Sequence, residues 1–133
     1  MTPLPGVGQA ADLILRVCQG YPFGAPVALR FIKRSRATLA FTSLGDTTCA
    51  FELPGIDSAR ACERYARIQH VLGESHIPHA YHWGQALPLT GEWVKKAFGP
   101  KRDAWLAARR RYLSSRGRAM FANVLPASCG LAE

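Results

Sequence analysis

His79-Ala80-Tyr81-His82-Trp83-Gly84-Gln85 is the stretch in which side chains suited to chemistry crowd together. Imidazoles can move protons or ligate metals near neutral pH. An indole can lie against a planar ligand. A glutamine can hydrogen-bond a hydroxyl but cannot stabilise charge as a cation would. Two more residues stand out for their settings. Arg30 lies in the apolar run Val27 to Lys33, and Glu52 lies beside Phe51 and Leu53 in Thr47 to Leu53. A charged group on an otherwise apolar strand needs an opposite charge or an acceptor cluster. Arg30 and Glu52 could satisfy each other as a structural ion pair, or either could serve a ligand; the residues alone leave both readings open.

Other chemistries lack their motifs. His76, His79 and His82 are spaced like a metal box, but on a strand His79 points away from the other two, so no metal site is expected. Cys18, Cys49, Cys62 and Cys129 are scattered without a Cys-x-x-Cys pair and read as free thiols. There is no glycine-rich phosphate loop and no serine or cysteine in a nucleophile-elbow context.

Periodicity supplies the elements that must position these residues. Residues 1–8 are rich in proline and glycine and read as a loose arm. Ala10, Leu13, Ile14 and Val17 fall at helical spacing, and Gly20 stops that helix. Val27 to Lys33 and Thr47 to Leu53 alternate as strands, the first apolar on both faces and so expected to be well covered. Asp57 suits a helix N-cap, and Ala61, Tyr65, Ile68 and Leu72 form the apolar stripe of the helix that follows. Ile77 to His82 reads as a third strand. Helices are expected near Thr90 to Phe98 and over Asp103 to Leu113, with Trp105, Ala108 and Tyr112 on the inner side of the latter. The tail reads as irregular. These elements predict one α+β domain over residues 1–133: an antiparallel sheet with helices on one face, followed by C-terminal helices.

Length and composition agree with one folded domain, since 133 residues can bury a core and the chain is 48% hydrophobic and 20% charged. No apolar run approaches membrane-helix length, and Met1 to Gly6 lacks signal-peptide character, so a cytoplasmic protein is expected. The net charge of +8 arises wholly between residues 95 and 118, where nine lysines and arginines face Asp103 alone. That segment is either a solvated helix surface or an anion-binding face. Trp93, Phe98, Trp105 and Tyr112 fall mostly on the apolar sides of their helices, which disfavours nucleic-acid binding.

At His82-Trp83-Gly84 the chain resembles the C-terminal substrate, or cap, domain of FAD-linked oxidases of the aldonolactone and alditol oxidase type, within the vanillyl-alcohol-oxidase-like flavoproteins. Pro26-Val27-Ala28-Leu29-Arg30-Phe31 is similar to that family's strand with a flavin-facing arginine. Cys49-Ala50-Phe51-Glu52-Leu53 resembles the next strand, Trp105 to Arg109 the following helix, and Phe121-Ala122-Asn123 and Gly130-Leu131 the closing motifs. The resemblance spans about residues 10 to 131. It implies a cap-domain-like fold and FAD-dependent oxidation of a CH–OH group in a sugar alcohol or lactone. Arg30 would stabilise negative charge near the flavin or on substrate. His82, Trp83 and Gly84 would form the cofactor-facing corner, and Asn123 would tie the tail towards the cofactor. The family's glutamate two residues before the arginine is Ala28 here, and its lysine after His-Trp-Gly is Gln85. Glu52 and Gln85 then become the candidate replacements beside Arg30 in the catalytic set.

No part of the sequence reads as an FAD-binding domain, so activity is expected only with a separately encoded FAD-binding subunit. An exposed face left by that missing domain implies a homodimer, with possible exchange of the N-terminal arm. The rival readings are a non-catalytic interaction module derived from the cap, and a basic domain that binds nucleic acid or another anion.

Overall fold

The computed structural model describes residues 1–20, 23–84 and 89–132. It is an α+β fold. Its sheet is antiparallel, in the order β1-β3-β2, with β1 Thr2–Pro3, β2 Ala28–Lys33 and β3 Thr47–Glu52. The helices are α1 (Val7–Val17), α2 (Ala59–Glu74), α3 (Gly91–Phe98), α4 (Pro100–Tyr112), α5 (Ser115–Met120) and α6 (Val124–Ser128).

The first layer pairs the sheet with α1 and α2. Ala10 and Ile14 of α1 meet Ile68 and Leu72 of α2 and Ile77 beyond it, with Phe51 and Leu53 packed against them. The four-three-four stripe of α2 is buried as its spacing requires, apart from Tyr65, which is half-buried and donates its hydroxyl to Leu53 O at 2.9 Å. Ser58 rather than Asp57 caps α2, its hydroxyl accepting from Ala61 N. Both residues suit the role; the chain enters the helix one residue later than expected.

Three expectations need correcting. The N-terminal residues are not a loose arm: Thr2 is buried and pairs with Cys49, and Pro3 pairs with Thr48. A proline is acceptable there because this two-residue strand lies at the sheet edge. Residues 77–82 are not a strand. Met1 and Ala80 exchange both backbone hydrogen bonds at 2.9 Å, a single rung that continues no further. Pro78 lacks the N–H that a longer ladder would use. Finally, β2 is not well covered. It is the other edge strand, and Val27, Leu29 and Phe31 remain 38%, 47% and 59% exposed.

The second layer gathers Ala80, Leu89, Val94, Phe98, Leu106, Cys129 and Leu131, with Trp83, Trp93 and Trp105 packed around them. Thr90 caps α3 and Gly99 joins α3 to α4 at φ +47°, a conformation glycine adopts without a Cβ clash. The connection from β2 to β3 links the two layers. Its Leu39, Phe41 and Leu44 pack on the second core, and Trp83 Nε1 donates to Leu39 O at 2.9 Å.

The inner face of α4 differs from the expected one. Leu106 and Arg109 are buried, whereas Tyr112 is 75% exposed. The hydrophobic pattern points to Trp105, Ala108 and Tyr112; Trp105 does pack on the second core, but α5 and the tail also present carbonyls, which draw Arg109 inward. Arg109 Nη2 donates to Arg118 O at 2.8 Å, and Arg102 Nη2 donates to Gly130 O at 2.8 Å. Gly130 has φ +63°, and a Cβ there would stand 3.2 Å from that Arg102 nitrogen. The tail from Phe121 to Leu131, expected to be irregular, instead contains α6, and α5 precedes it; Ser114 caps α5 by accepting from Gly117 N, and Asn123 caps α6 by accepting from Leu125 N.

Candidate functional site

The ladder between β2 and β3 brings Arg30 and Glu52 together. Arg30 pairs with Ala50 and Ala28 with Glu52, so all four lie on one face of the sheet. Arg30 Nε reaches diagonally to Glu52 Oε1 at 2.7 Å. Their side chains are 68% and 46% exposed, so this is a solvated pair at a surface and not a buried one. The register makes one further point. Glu52 stands directly across from Ala28, where the oxidase resemblance expects a glutamate. A carboxylate thus stands on the same face as Arg30, carried by the neighbouring strand.

The His-Trp-Gly corner follows the rung at Ala80. His82 is exposed, tilts against Phe41 with ring centroids 5.0 Å apart, and accepts from Gly84 N through Nδ1 at 3.1 Å. Trp83 turns the other way. Its ring stacks on Phe98 at 5.5 Å, and its N–H is taken by Leu39 O. Tyr81 lies tilted against Trp93 with ring centroids 5.0 Å apart, and burial pushes its phenol up to about 12, so it stays neutral. His79 is half-buried with Nδ1 2.9 Å from Ile77 O, and its Nε2 is buried without a partner. Donation from Nδ1 leaves Nε2 as a lone-pair acceptor. Protonating it would create a buried, unanswered N–H. Burial accordingly lowers the pKa of His79 below 6.5.

The remaining predicted residues are dispersed. Asn123 is exposed on the tail and its side chain caps α6. Gln85 lies outside the described residues. Among the described residues, no group of three or more His, Cys, Asp or Glu side chains gathers as a metal site would require.

A flavin needs a flat contact surface and donors aimed at its ring. Of the side chains assigned to that role, Trp83 is engaged in the second core and Asn123 in a helix cap, which leaves the exposed His82 beside the bare Gly84. As they stand, these groups do not compose a flavin cradle.

Sequence reasoning missed two other polar assemblies. One is the set of arginines on carbonyls around α4; the cluster of nine cations was visible, but not the carbonyls it would meet. The other lies at the β2–β3 connection, where Lys101 Nζ donates to both Ser43 O and Ser43 Oγ at 3.0 Å. Comparison with family models, curated proteins and solved structures finds no match to this chain.

Proposed function

We propose that the chain acts as the substrate-cap part of an FAD-dependent oxidoreductase working on CH–OH groups, completed by an FAD-binding domain that it must meet through the β2 side of its sheet. The observation carrying this reading is the placement of Arg30 and Glu52 on one face of β2 and β3, with Glu52 opposite Ala28. A guanidinium and a carboxylate held together at an exposed edge of the sheet can bind a hydroxyl and take up its proton when a second surface excludes water. On the opposite face of the same strand, Leu29 and Phe31 offer exposed apolar area of the kind that contacts a partner. FAD would be held by the partner domain, and this chain would contribute Arg30, Glu52 and His82 to the rim of the substrate space.

The test is co-expression with candidate FAD-binding domains. Co-purification of a yellow complex, with flavin absorbance that bleaches when a sugar alcohol or lactone is added under anaerobic conditions, is the expected result. Arg30→Ala and Glu52→Ala should abolish the bleaching while the complex still forms. A complex whose bleaching is indifferent to both substitutions removes the catalytic reading.

The exposed β2 edge also favours a second reading, a non-catalytic interaction module that pairs as a homodimer. Sedimentation separates the two. A dimer that persists in the presence of every FAD-domain candidate, without flavin capture, supports the module.

A further inference from the structure

We propose a second site, independent of the flavin reading: the cleft between the β2–β3 connection and the start of α4 binds a small diphosphate-bearing molecule. The cleft has a volume of about 520 Å³, and its polar lining is Arg34, Ser35, Arg36, Thr38, Ser43 and Lys101. Three cations and three hydroxyls face one space, and no carboxylate lines it.

The hydrogen bonds already made in this loop decide what the cleft can accept. Ser35 Oγ accepts from Ala37 N at 3.1 Å, and Ser43 Oγ accepts from Lys101 Nζ at 3.0 Å. In each hydroxyl an acceptor position is occupied and the O–H remains to be donated. Lys101 has three N–H bonds, of which Ser43 O and Oγ take two. Arginine has donors only. The cleft therefore presents donors from every polar side, and its ligand must be rich in acceptors and negatively charged.

Charge and size narrow the class. A phosphate monoester carries about −1.5 to −2 near neutral pH, so two linked phosphates answer three cations better than one carboxylate does. Arginine forks suit phosphate oxygens, whereas lysine serves as a point charge. The volume far exceeds the ~30 Å³ share of a single water, leaving room for a linked pair. Among the described residues, the acid paired with a cation of the cleft is Asp46, which lies 3.5 Å from Arg34 and whose side chain is 98% exposed. A pair of that kind is worth little and yields readily to a ligand.

The site is also held in shape before any ligand arrives. Ser43 is buried, Ser43 N donates to Ala40 O at 2.9 Å, and Arg34 N donates to Asp46 O at 2.9 Å. Trp83 holds Leu39 O, and Lys101 joins the loop to α4. Ordering costs on binding are correspondingly small.

The experiment is a calorimetric titration of the whole chain with inorganic pyrophosphate at low salt, with circular dichroism confirming that each variant folds. Saturable one-to-one binding is expected. Arg36→Ala should weaken it at least about tenfold, the loss of one charge-assisted contact. Arg116→Ala, an exposed cation outside the cleft, should change it less than about twofold. Absence of saturable binding overturns the site. Equal losses in the two variants also overturn it, because they would mark diffuse attraction to a basic protein. A single-stranded oligonucleotide that displaces pyrophosphate, with affinity falling steeply with salt, would overturn the small-molecule assignment in favour of nucleic acid.

Discussion

The two layers of this molecule handle charge in opposite ways. In the sheet layer, the core is mainly carbon with two buried threonines, and its ion pair stays in water: Ile14, Ile68 and Leu72 are buried with Thr2 and Thr48, while Arg30 and Glu52 pair at an exposed edge. In the C-terminal layer, cations help close the structure. Arg109 is only 7% exposed and holds carbonyls of Arg118 and Ala132. Arg118 in turn holds Leu113 O at 2.8 Å, and Lys96 holds Gly73 O at the end of α2 at 2.8 Å. The difference follows from backbone pairing. The sheet answers its own N–H and C=O groups through its ladder. The short α5 and α6 leave many terminal carbonyls that nothing regular can answer. Much of the +8 concentrated in residues 95–118 is thus structural, and the net charge overstates the surface left for anions.

The largest test of this contrast lies in the apolar layer. Ile68→Ala should cost about 3 kcal/mol in urea unfolding, because Ile68 is 4% exposed and its neighbours on α1 and α2 cannot collapse onto the space. Next comes Arg109→Ala, expected at about 2 kcal/mol despite removing a charge from a strongly basic protein. Its loss strands two carbonyls in a half-buried setting. If Arg109→Ala were neutral or stabilising, relief of charge repulsion would outweigh the carbonyl bonds, and the contrast between layers would collapse. Arg109→Lys sharpens the point: one ammonium cannot span both acceptors as the fork does, so it should recover only part of the loss.

These residues also mark how far the sequence could be read. The stripe Ala61, Tyr65, Ile68, Leu72 announced its helix and its buried side, because burial against a sheet obeys helical spacing and nothing else. Strands β2 and β3 were equally plain. What spacing could not give was the edge status of β2, since an apolar alternation looks the same whether a neighbour covers it or not. Nor could it show that Met1 and Ala80 would pair, a contact between residues far apart in the chain. The inward turn of Arg109 ran against every hydrophobic rule, because its partners are backbone atoms that no residue type announces. At the candidate site, the pairing of Arg30 with Glu52 was one of two readings the residues left open. The cap formed by Asn123 and the stacking of Trp83 on Phe98 depend on local geometry that the motif itself does not encode.

A smaller effect is expected from pH, and it belongs to the seam between the layers. Burial lowers the pKa of His79 in the folded chain, whereas the unfolded chain retains about 6.5. Below 6.5 the unfolded state binds the proton first, so its share grows as pH falls. The His79 contribution should be fully present above pH 6.5 and decline from there until its folded-state pKa is passed, adding to the loss that the buried Met1 ammonium, lowered by burial to about 6, produces as pH falls below 8. His79→Gln should flatten this decline in unfolding curves taken between pH 7 and 5. An unchanged slope would show that the imidazole is hydrated and that its Nε2 finds water.

The smallest expected effect bears most directly on function. In an isolated monomer the Arg30–Glu52 pair is a solvated surface pair, so Arg30→Ala and Glu52→Ala should each change stability by no more than about 0.5 kcal/mol. That prediction holds only while the face stays in water. If a second copy or a flavin domain covers β2, the pair becomes desolvated, and removing one member leaves an unanswered charge. The penalty would then rise with protein concentration or on addition of the partner, because stability and association are linked. Unfolding curves at low and high concentration therefore separate the cases. A flat, small effect describes a surface ornament of the sheet. A small effect that grows with association describes two charged groups waiting for a second surface, which is what the cap reading requires.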